Sequence, residues 1–312
     1  MTNPPDVSIV IPCYRSEKSL PALTKRIQET MSSAAISFEL VLVEDGGLDG
    51  TWNVIQELAR HHPVVRGIRL MRNYGQHNAL LCGIRLARGG IIVTLDDDLQ
   101  NPPEEIPRLL SKLTEGYDVV YGTPQKEEHG VLRDFASQLT KLVLQKSMGA
   151  ATARNVSAYR AFHTRLRDAF ADYRGSFVSI DVLLTWGGAR FTAIPVKNDP
   201  RTIGVSNYTL YKLISHALNM MTGFGTAPLQ LASLLGFLFT IVGGGTFLYV
   251  IISYLVRGSP VQGFPFLASA IAIFSGVQLF ALGIMGEYLA RIHSRTMDRP
   301  SLTVDRTTDE ER

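Results

Sequence analysis

The sequence predicts an α/β domain on a mainly parallel sheet, followed by a C-terminal hairpin of two membrane-spanning helices. Three observations carry this prediction. Short apolar runs alternate with helical patterns through the first two-thirds of the chain. Polar, acidic and glycine residues collect just after the first four of those runs. Two long stretches without a charged residue fill most of the last third.

The strand-length runs are Val7–Ile11, Leu40–Val43, Val65–Leu70, Ile91–Leu95 and Val119–Tyr121. Helical spacing is found between them, at Leu20–Met31, Thr51–His61, Gln76–Arg88 and Pro103–Glu115. Asp49-Gly50-Thr51 and Asn101-Pro102-Pro103 have the chemistry of helix starts. Strands separated by helices pair in parallel, because each helix carries the chain back across the sheet. In such sheets ligands bind beyond the carboxyl ends of the strands. The first run is followed by Pro12-Cys13-Tyr14 and the second by Glu44-Asp45-Gly46-Gly47. The third leads into Arg72-Asn73-Tyr74-Gly75-Gln76-His77-Asn78, and the fourth into Asp96-Asp97-Asp98-Leu99-Gln100.

The last third reads differently. Ala227 to Val256 carries no charge, and Arg257 ends it; Gly258 to Gly286 carries none, and Glu287 ends it. Each exceeds the ~20 apolar residues that cross a hydrocarbon core. The loop around Arg257-Gly258-Ser259-Pro260 is short, so the spans form a hairpin with both chain ends on one side. Lys212, Arg291, Arg295 and Arg299 flank the pair, against Arg257 alone in the loop, which places both ends in the cytoplasm. Gly236 and Gly243-Gly244-Gly245 would allow close helix contact, and equally read as plain flexibility. Tyr208–Met221 has helical apolar spacing that suits a segment lying in the interface, or a core helix of the first domain. The predicted organisation is a sheet domain over 1–206, an interfacial segment over 207–226, two spans over 227–290 and a cytoplasmic tail over 291–312.

Composition narrows the function. The 312 residues carry 31 basic and 28 acidic side chains, a net charge of +3. That is no basic field for nucleic acid. Mean hydropathy is +0.09, high for a soluble protein. Cys13 and Cys82 sit in apolar runs without paired spacing, so reduced thiols are expected rather than a disulfide or a zinc site. The run Val7–Ile11, stopped by Pro12, is too short for a signal-peptide core.

Three adjacent aspartates repel one another and call for compensation. A hard divalent cation supplies it, taking oxygen from carboxylate, amide and phosphate. On an extended chain Asp96 and Asp98 point to one side, and Gln100 continues the alternation. The alternative is a solvated acidic turn before the next helix. Asp45 ahead of Gly46-Gly47 suits turn chemistry and suits equally a carboxylate facing a nucleobase or ribose.

The order Ile11-Pro12-x-Tyr14, Glu44-Asp45-Gly46, Arg72-Asn73-x-Gly75 and Asp96-x-Asp98-Leu99-Gln100-x-Pro102-Pro103 resembles the family-2 glycosyltransferases of GT-A fold. The stretches Arg72–His77 and Asp98–Pro107 are more closely similar to polyprenyl-phosphate sugar transferases: dolichol-phosphate mannose synthase, the GtrB type, and the ArnC type that loads undecaprenyl phosphate with a modified arabinose. The resemblance implies a GT-A, Rossmann-like catalytic domain. It implies a nucleotide and donor pocket at Pro12, Tyr14, Asp45, Asn73, Gly75, Asp96 and Asp97. Asp98 and Gln100 would hold Mg²⁺ or Mn²⁺ against the diphosphate. Arg133, Ser137, Arg201 and Ser206 would meet the acceptor phosphate, with Asp98, Arg133 and Arg201 as the catalytic groups. Ser157-Ala158-Tyr159-Arg160 resembles the family's Ser-Gly-Phe-Arg turn. Arg15-Ser16 stands where the family often has Asn-Glu.

The implied reaction moves a sugar from a nucleotide-sugar, expected to be UDP-linked, to undecaprenyl phosphate, with inversion and with a metal, for cell-envelope glycan or lipid modification. The implied partners are the donor, the lipid acceptor and the cytoplasmic (inner) membrane, with no nucleic acid; the glycine-rich spans leave room for homo-oligomers. Two other readings predict different features. A processive polysaccharide synthase carries Gln-x-x-Arg-Trp and more spans, and neither Trp52 nor Trp186 follows an arginine. A non-catalytic, membrane-anchored nucleotide-sugar binder would keep its role without Asp98.

Overall fold

Eight strands form one sheet, in the order β7 (Phe191–Val196), β5 (Val119–Pro124), β6 (Arg160–His163), β4 (Ile91–Thr94), β1 (Val7–Cys13), β2 (Phe38–Glu44), β3 (Val65–Leu70) and β8 (Val304–Thr307). The computed structural model describes residues 4–124, 155–175, 177–197, 227–257, 264–297 and 300–309. The first five strands fall where the apolar runs predict: β1 Val7–Cys13, β2 Phe38–Glu44, β3 Val65–Leu70, β4 Ile91–Thr94 and β5 Val119–Pro124. Helices α1 Leu20–Ser33, α2 Thr51–His61 and α3 Gln76–Leu86 connect the first four. A 3-10 turn, Pro103–Glu105, leads into α4 Ile106–Thr114. The short elements β6 Arg160–His163, α5 Ile180–Gly187 and β7 Phe191–Val196 come next.

β1 through β4 are parallel, and β5 and β7 run with them. β6 is antiparallel to both β4 and β5. β1 lies at the centre and is buried along its whole length, as a strand covered on both faces must be. Alternate residues serve opposite layers. Ile9, Ile11, Leu40 and Leu42 join the core built with α1, α2 and α4. Val10 and Val43 face α3, where a Cβ added at Gly83 would lie 2.4 Å from Val10 Cγ1. Glycine there lets the helix sit directly on the sheet.

The expected tail, 291–312, resolves into two pieces. Residues to Thr296 belong to a long helix, whereas Val304–Thr307 forms β8, antiparallel to β3. Thr308 N–H donates to Gly67 O at 3.0 Å, and Asp309 pairs with Arg66 and Arg88. The charged sequence Val304-Asp305-Arg306-Thr307 lacks the apolar alternation of a half-buried strand, yet suits an edge, which needs only backbone pairing.

The helical unit contains α6 Ala227–Arg257 and α7 Phe264–Thr296, 31 and 33 residues long. Both are long and apolar enough to cross a membrane. They pack against each other through Phe239 and Phe274, edge to face with ring centres 5.8 Å apart. A Cβ at Gly243 would meet the Phe274 ring at 3.2 Å, whereas at Gly236, Gly244 and Gly245 it would meet nothing within 4 Å. So Gly243 alone among these four serves helix contact within the described residues. α7 runs on past Gly286 through an i,i+4 ion pair of Glu287 with Arg291 at 2.7 Å. The end of its uncharged stretch is not the end of the helix. The proposed interfacial segment, 207–226, lies outside the described residues.

Candidate active site

The sheet order reverses between β1 and β4: the chain leaves β1 toward β2 and β3, then crosses back to pair β4 on the other side. Such a switch point opens a crevice at the carboxyl ends of the strands. β1 runs three residues beyond Val10, which pairs with Thr94 at the end of β4, and this deepens the notch. A cleft of about 270 Å³ lies there. It is lined by all seven residues expected around a nucleotide (Pro12, Tyr14, Asp45, Asn73, Gly75, Asp96 and Asp97) and by Asp98, with Cys13 and Gln76 completing the wall.

Each wall is held by a strand-end carboxylate that reaches across to the neighbouring loop. At the end of β2, Asp45 accepts the Tyr74 N–H at 2.7 Å and the Gly75 N–H at 2.8 Å. These fix the turn before α3, where Gly75 adopts φ +91°, open to glycine at little cost. Gly46 is demanded by contact as well as by its φ of +63°: a Cβ there would lie 2.2 Å from the Arg72 carbonyl carbon. At the end of β4, Asp97 accepts the Tyr14 N–H at 3.2 Å and the Ser16 hydroxyl. Gln76 donates to Asp96 at 2.6 Å, tying the start of α3 to the acidic turn.

The acidic segment is not extended. Asp97 and Asp98 form a turn, and Leu99 takes φ +63°. Asp98 accepts the Gln100 N–H at 3.1 Å, and Leu99 packs against the core. The expected alternation of Asp96, Asp98 and Gln100 on one face is therefore replaced by a tight turn. Asp98 reaches the cleft; Gln100 is half-buried and does not line it.

Burial dominates the electrostatics of these walls. It raises the carboxyls of Asp45 and Asp97 above the ordinary range, and the backbone N–H donors pull each back. Asp98 next door raises Asp97 further. Beneath them Glu44, 1% exposed, accepts from the Gly47 N–H and pairs with Arg69 at 3.2 Å. Burial also pushes the Cys13 thiol well up, leaving it inert. Both cysteines are free and buried, as their apolar settings predict.

The rim is aromatic and basic. Tyr14 is 45% exposed, with the Arg15 guanidinium 5.3 Å from its ring centre. Arg72 lies 4.8 Å over the Tyr74 ring. Flat faces beside cations suit a nucleobase and a phosphate. Among the described residues no three carboxylate, imidazole or thiol groups converge on one cation. A Mg²⁺-like ion fits this, since it is commonly held by one or two carboxylates plus substrate phosphates and water.

Arg133, Ser137, Arg201 and Ser206 lie outside the described residues. The Ser157–Arg160 segment is built into the sheet. Ala158 O accepts from Thr94 at 2.7 Å, and Tyr159 OH donates to Pro102 O at 3.0 Å. Arg160, 1% exposed, pairs with Asp181, which also accepts from Tyr121 OH at 3.3 Å. Gln76, which lines the cleft, and Ser16, which donates to Asp97, are site neighbours absent from the expected set. Gln76 stands inside the Arg72–His77 stretch, where a motif marks it; Ser16 stands where the chain departs from the family pattern, but its partner lies 81 residues away and is not legible locally.

A model of glycosyl transferase family 2 matches residues 8–174. A Pseudomonas paraeruginosa protein named undecaprenyl-phosphate 4-deoxy-4-formamido-L-arabinose transferase is 37% identical over 304 residues, covering 96% of this chain and 89% of that one. A Shewanella sediminis protein of the same name is 39% identical, covering 94% and 90%. Among solved structures, glucosyl-3-phosphoglycerate synthase from Mycobacterium tuberculosis, in complex with Mn²⁺, UDP and phosphoglyceric acid, superposes with a TM-score of 0.51 at 16% identity, over 70% of this chain and 76% of that one. At that identity the likeness is one of fold.

Proposed function

The chain belongs to glycosyl transferase family 2, and from that premise we propose that it transfers a sugar from a UDP-linked donor to undecaprenyl phosphate at the cytoplasmic face of the inner membrane. One observation carries the reading. The strand ends at the switch point gather Asp45, Asp96, Asp97 and Asp98 around one cleft, in a chain similar over nearly its whole length to proteins named for that lipid acceptor.

The chemistry is set by the groups involved. A lipid phosphate is largely ionised at neutral pH, since the second pKa of a phosphate monoester is about 6. It needs no general base. Its oxygen forms the new bond at the anomeric carbon as the nucleotide diphosphate leaves from the opposite face, which inverts the centre. Tyr14 and Asn73 would flank the nucleotide; Asp98, which reaches the cleft, would hold Mg²⁺ or Mn²⁺ together with the donor's phosphates and water, without the Gln100 that does not line it. When bound, that ion offsets the charge gathering on the departing diphosphate. Arg133 and Arg201, with Ser137 and Ser206, position the acceptor phosphate through charge-assisted hydrogen bonds. The two apolar helices, long enough to cross a bilayer, would anchor the chain in the membrane that holds the acceptor, which makes the encounter local.

The test is transfer by membranes containing the full chain. Short polyprenyl phosphate and a panel of nucleotide-sugars, the formamido-arabinose donor among them, are supplied and the lipid product is weighed by mass spectrometry. Asp98→Ala should lower transfer by roughly 10²–10³-fold. Transfer that survives Asp98→Ala unchanged, or that is absent with every donor, sinks the assignment.

A further inference from the structure

Three aspartates stand in a row, and they do not share one job. Asp98 reaches the cleft, and Asp96 accepts from Gln76 there. Asp97 borders the same cleft, but its Oδ2 is turned toward the loop after β1. It accepts the Tyr14 N–H at 3.2 Å and the Ser16 hydroxyl. Between those two donors sits Arg15 at φ +59°, a conformation disfavoured for any residue with a Cβ. The loop is fastened from the other side as well: the Ser16 N–H donates to Thr51 Oγ1 at 2.8 Å, and the Gly50 N–H to Glu17 at 3.0 Å.

We propose that Asp97 is a positioning residue, not a ligand of nucleotide or metal: it clasps the Tyr14–Ser16 turn in its left-handed form and thereby sets the wall against which the donor's nucleotide rests. The proposal rests on the reading of this cleft as the donor site. A single carboxylate oxygen bracketing a strained residue is a stronger restraint than either bond alone, because a clasp on one side would let Arg15 relax. The arrangement also gives the middle carboxylate of the triplet its own donors, which offset the cost of holding a charge beside Asp98. Tyr14 and Asp97 are far apart in sequence, so this clasp couples the base-side wall to the acidic turn.

The experiment uses the full chain in detergent, with amide hydrogen exchange at Tyr14 and steady-state transfer as readouts. Asp97→Ala should speed exchange at Tyr14 at least tenfold. It should raise KM for the nucleotide-sugar about tenfold while leaving kcat within about threefold. The reversed pair, Ser16→Asp with Asp97→Ser, exchanges donor and acceptor across the same gap and should return both protection and KM toward wild type. Arg15→Gly in the Asp97→Ala background removes the strain and should recover part of the loss. Unchanged Tyr14 exchange in Asp97→Ala overturns the proposal. So does a folded reversed pair as impaired as Asp97→Ala, which would make Asp97 a direct ligand. Asp98→Ala is the control, losing turnover while Tyr14 stays protected. Should the wild type turn over no nucleotide-sugar, the functional reading falls, and the exchange result still decides what Asp97 does.

Discussion

Leucines in the sheet unit and leucines in the helical unit live in opposite ways. Leu40 and Leu42 are 0% exposed, whereas Leu238 is 53% and Leu255 75% exposed. The sheet turns its apolar side chains inward and presents charge to water. The helical pair turns them outward along most of its length. The backbone explains why each unit can do so. A strand needs neighbours to satisfy its N–H and C=O groups, so it must be enclosed; a helix satisfies its own and can stand in lipid. Apolar content alone therefore does not mark a core: what matters is which solvent the segment is built to meet.

The largest test of that contrast is a charge sealed inside the sheet. Arg160→Met strands the buried Asp181 without its cation and should cost about 3–5 kcal/mol, read by denaturant unfolding of the sheet unit. Adding Asp181→Leu should restore most of the loss, since an apolar pair replaces an orphaned charge. Cavity formation comes next. Leu42→Ala should cost about 2–5 kcal/mol, whereas Leu238→Ala should stay within about 0.5 kcal/mol in the same measurement. Equal effects would erase the distinction between the units. Val242→Asp places a charge near the middle of Pro228–Val256 and should cost about 2.5–3.5 kcal/mol of insertion, seen as loss from the membrane fraction while the sheet unit still unfolds normally.

The smallest effect is a pH dependence. Burial raises the Asp45 carboxyl in the folded state, so the fold favours its protonated form. That contribution is complete below the unfolded value of about 3.9 and fades as pH rises through the raised folded value. Asp45→Asn lacks the ionisation. Its melting temperature minus that of wild type should therefore climb as pH rises above about 4. A difference that falls over this range contradicts the buried, raised carboxyl.

The legible part of the fold was the part with strong periodicity. β1 to β5 and α1 to α4 announce themselves because a fully covered strand is an apolar run and a helix packed on one face repeats every three to four residues. β6, with four residues beginning at a buried arginine, resembles a turn when read alone. β8 is the clearest omission: Val304-Asp305-Arg306-Thr307 looks like a charged tail, and only the open edge of β3 makes it a strand. The site divides the same way. The residues that line the cleft were readable from their positions just past the strand ends. Their hydrogen bonds were not: Asp97 lines the cleft as expected, and only the fold shows that its Oδ2 accepts from the loop after β1.

Residue order was enough for the layering of the sheet unit, the clustering of acids at its carboxyl edge and the apolar length of two helices. All three depend on residue type and local spacing, which are written along the chain. The direction of each carboxylate, the left-handed turn at Leu99 and the return of the C-terminal segment to β3 came only with the folded chain. Those depend on partners that folding brings from tens to hundreds of residues away, as between Asp97 and Ser16 or Asp309 and Arg66. A one-dimensional pattern holds no record of such partners until the chain has closed on itself.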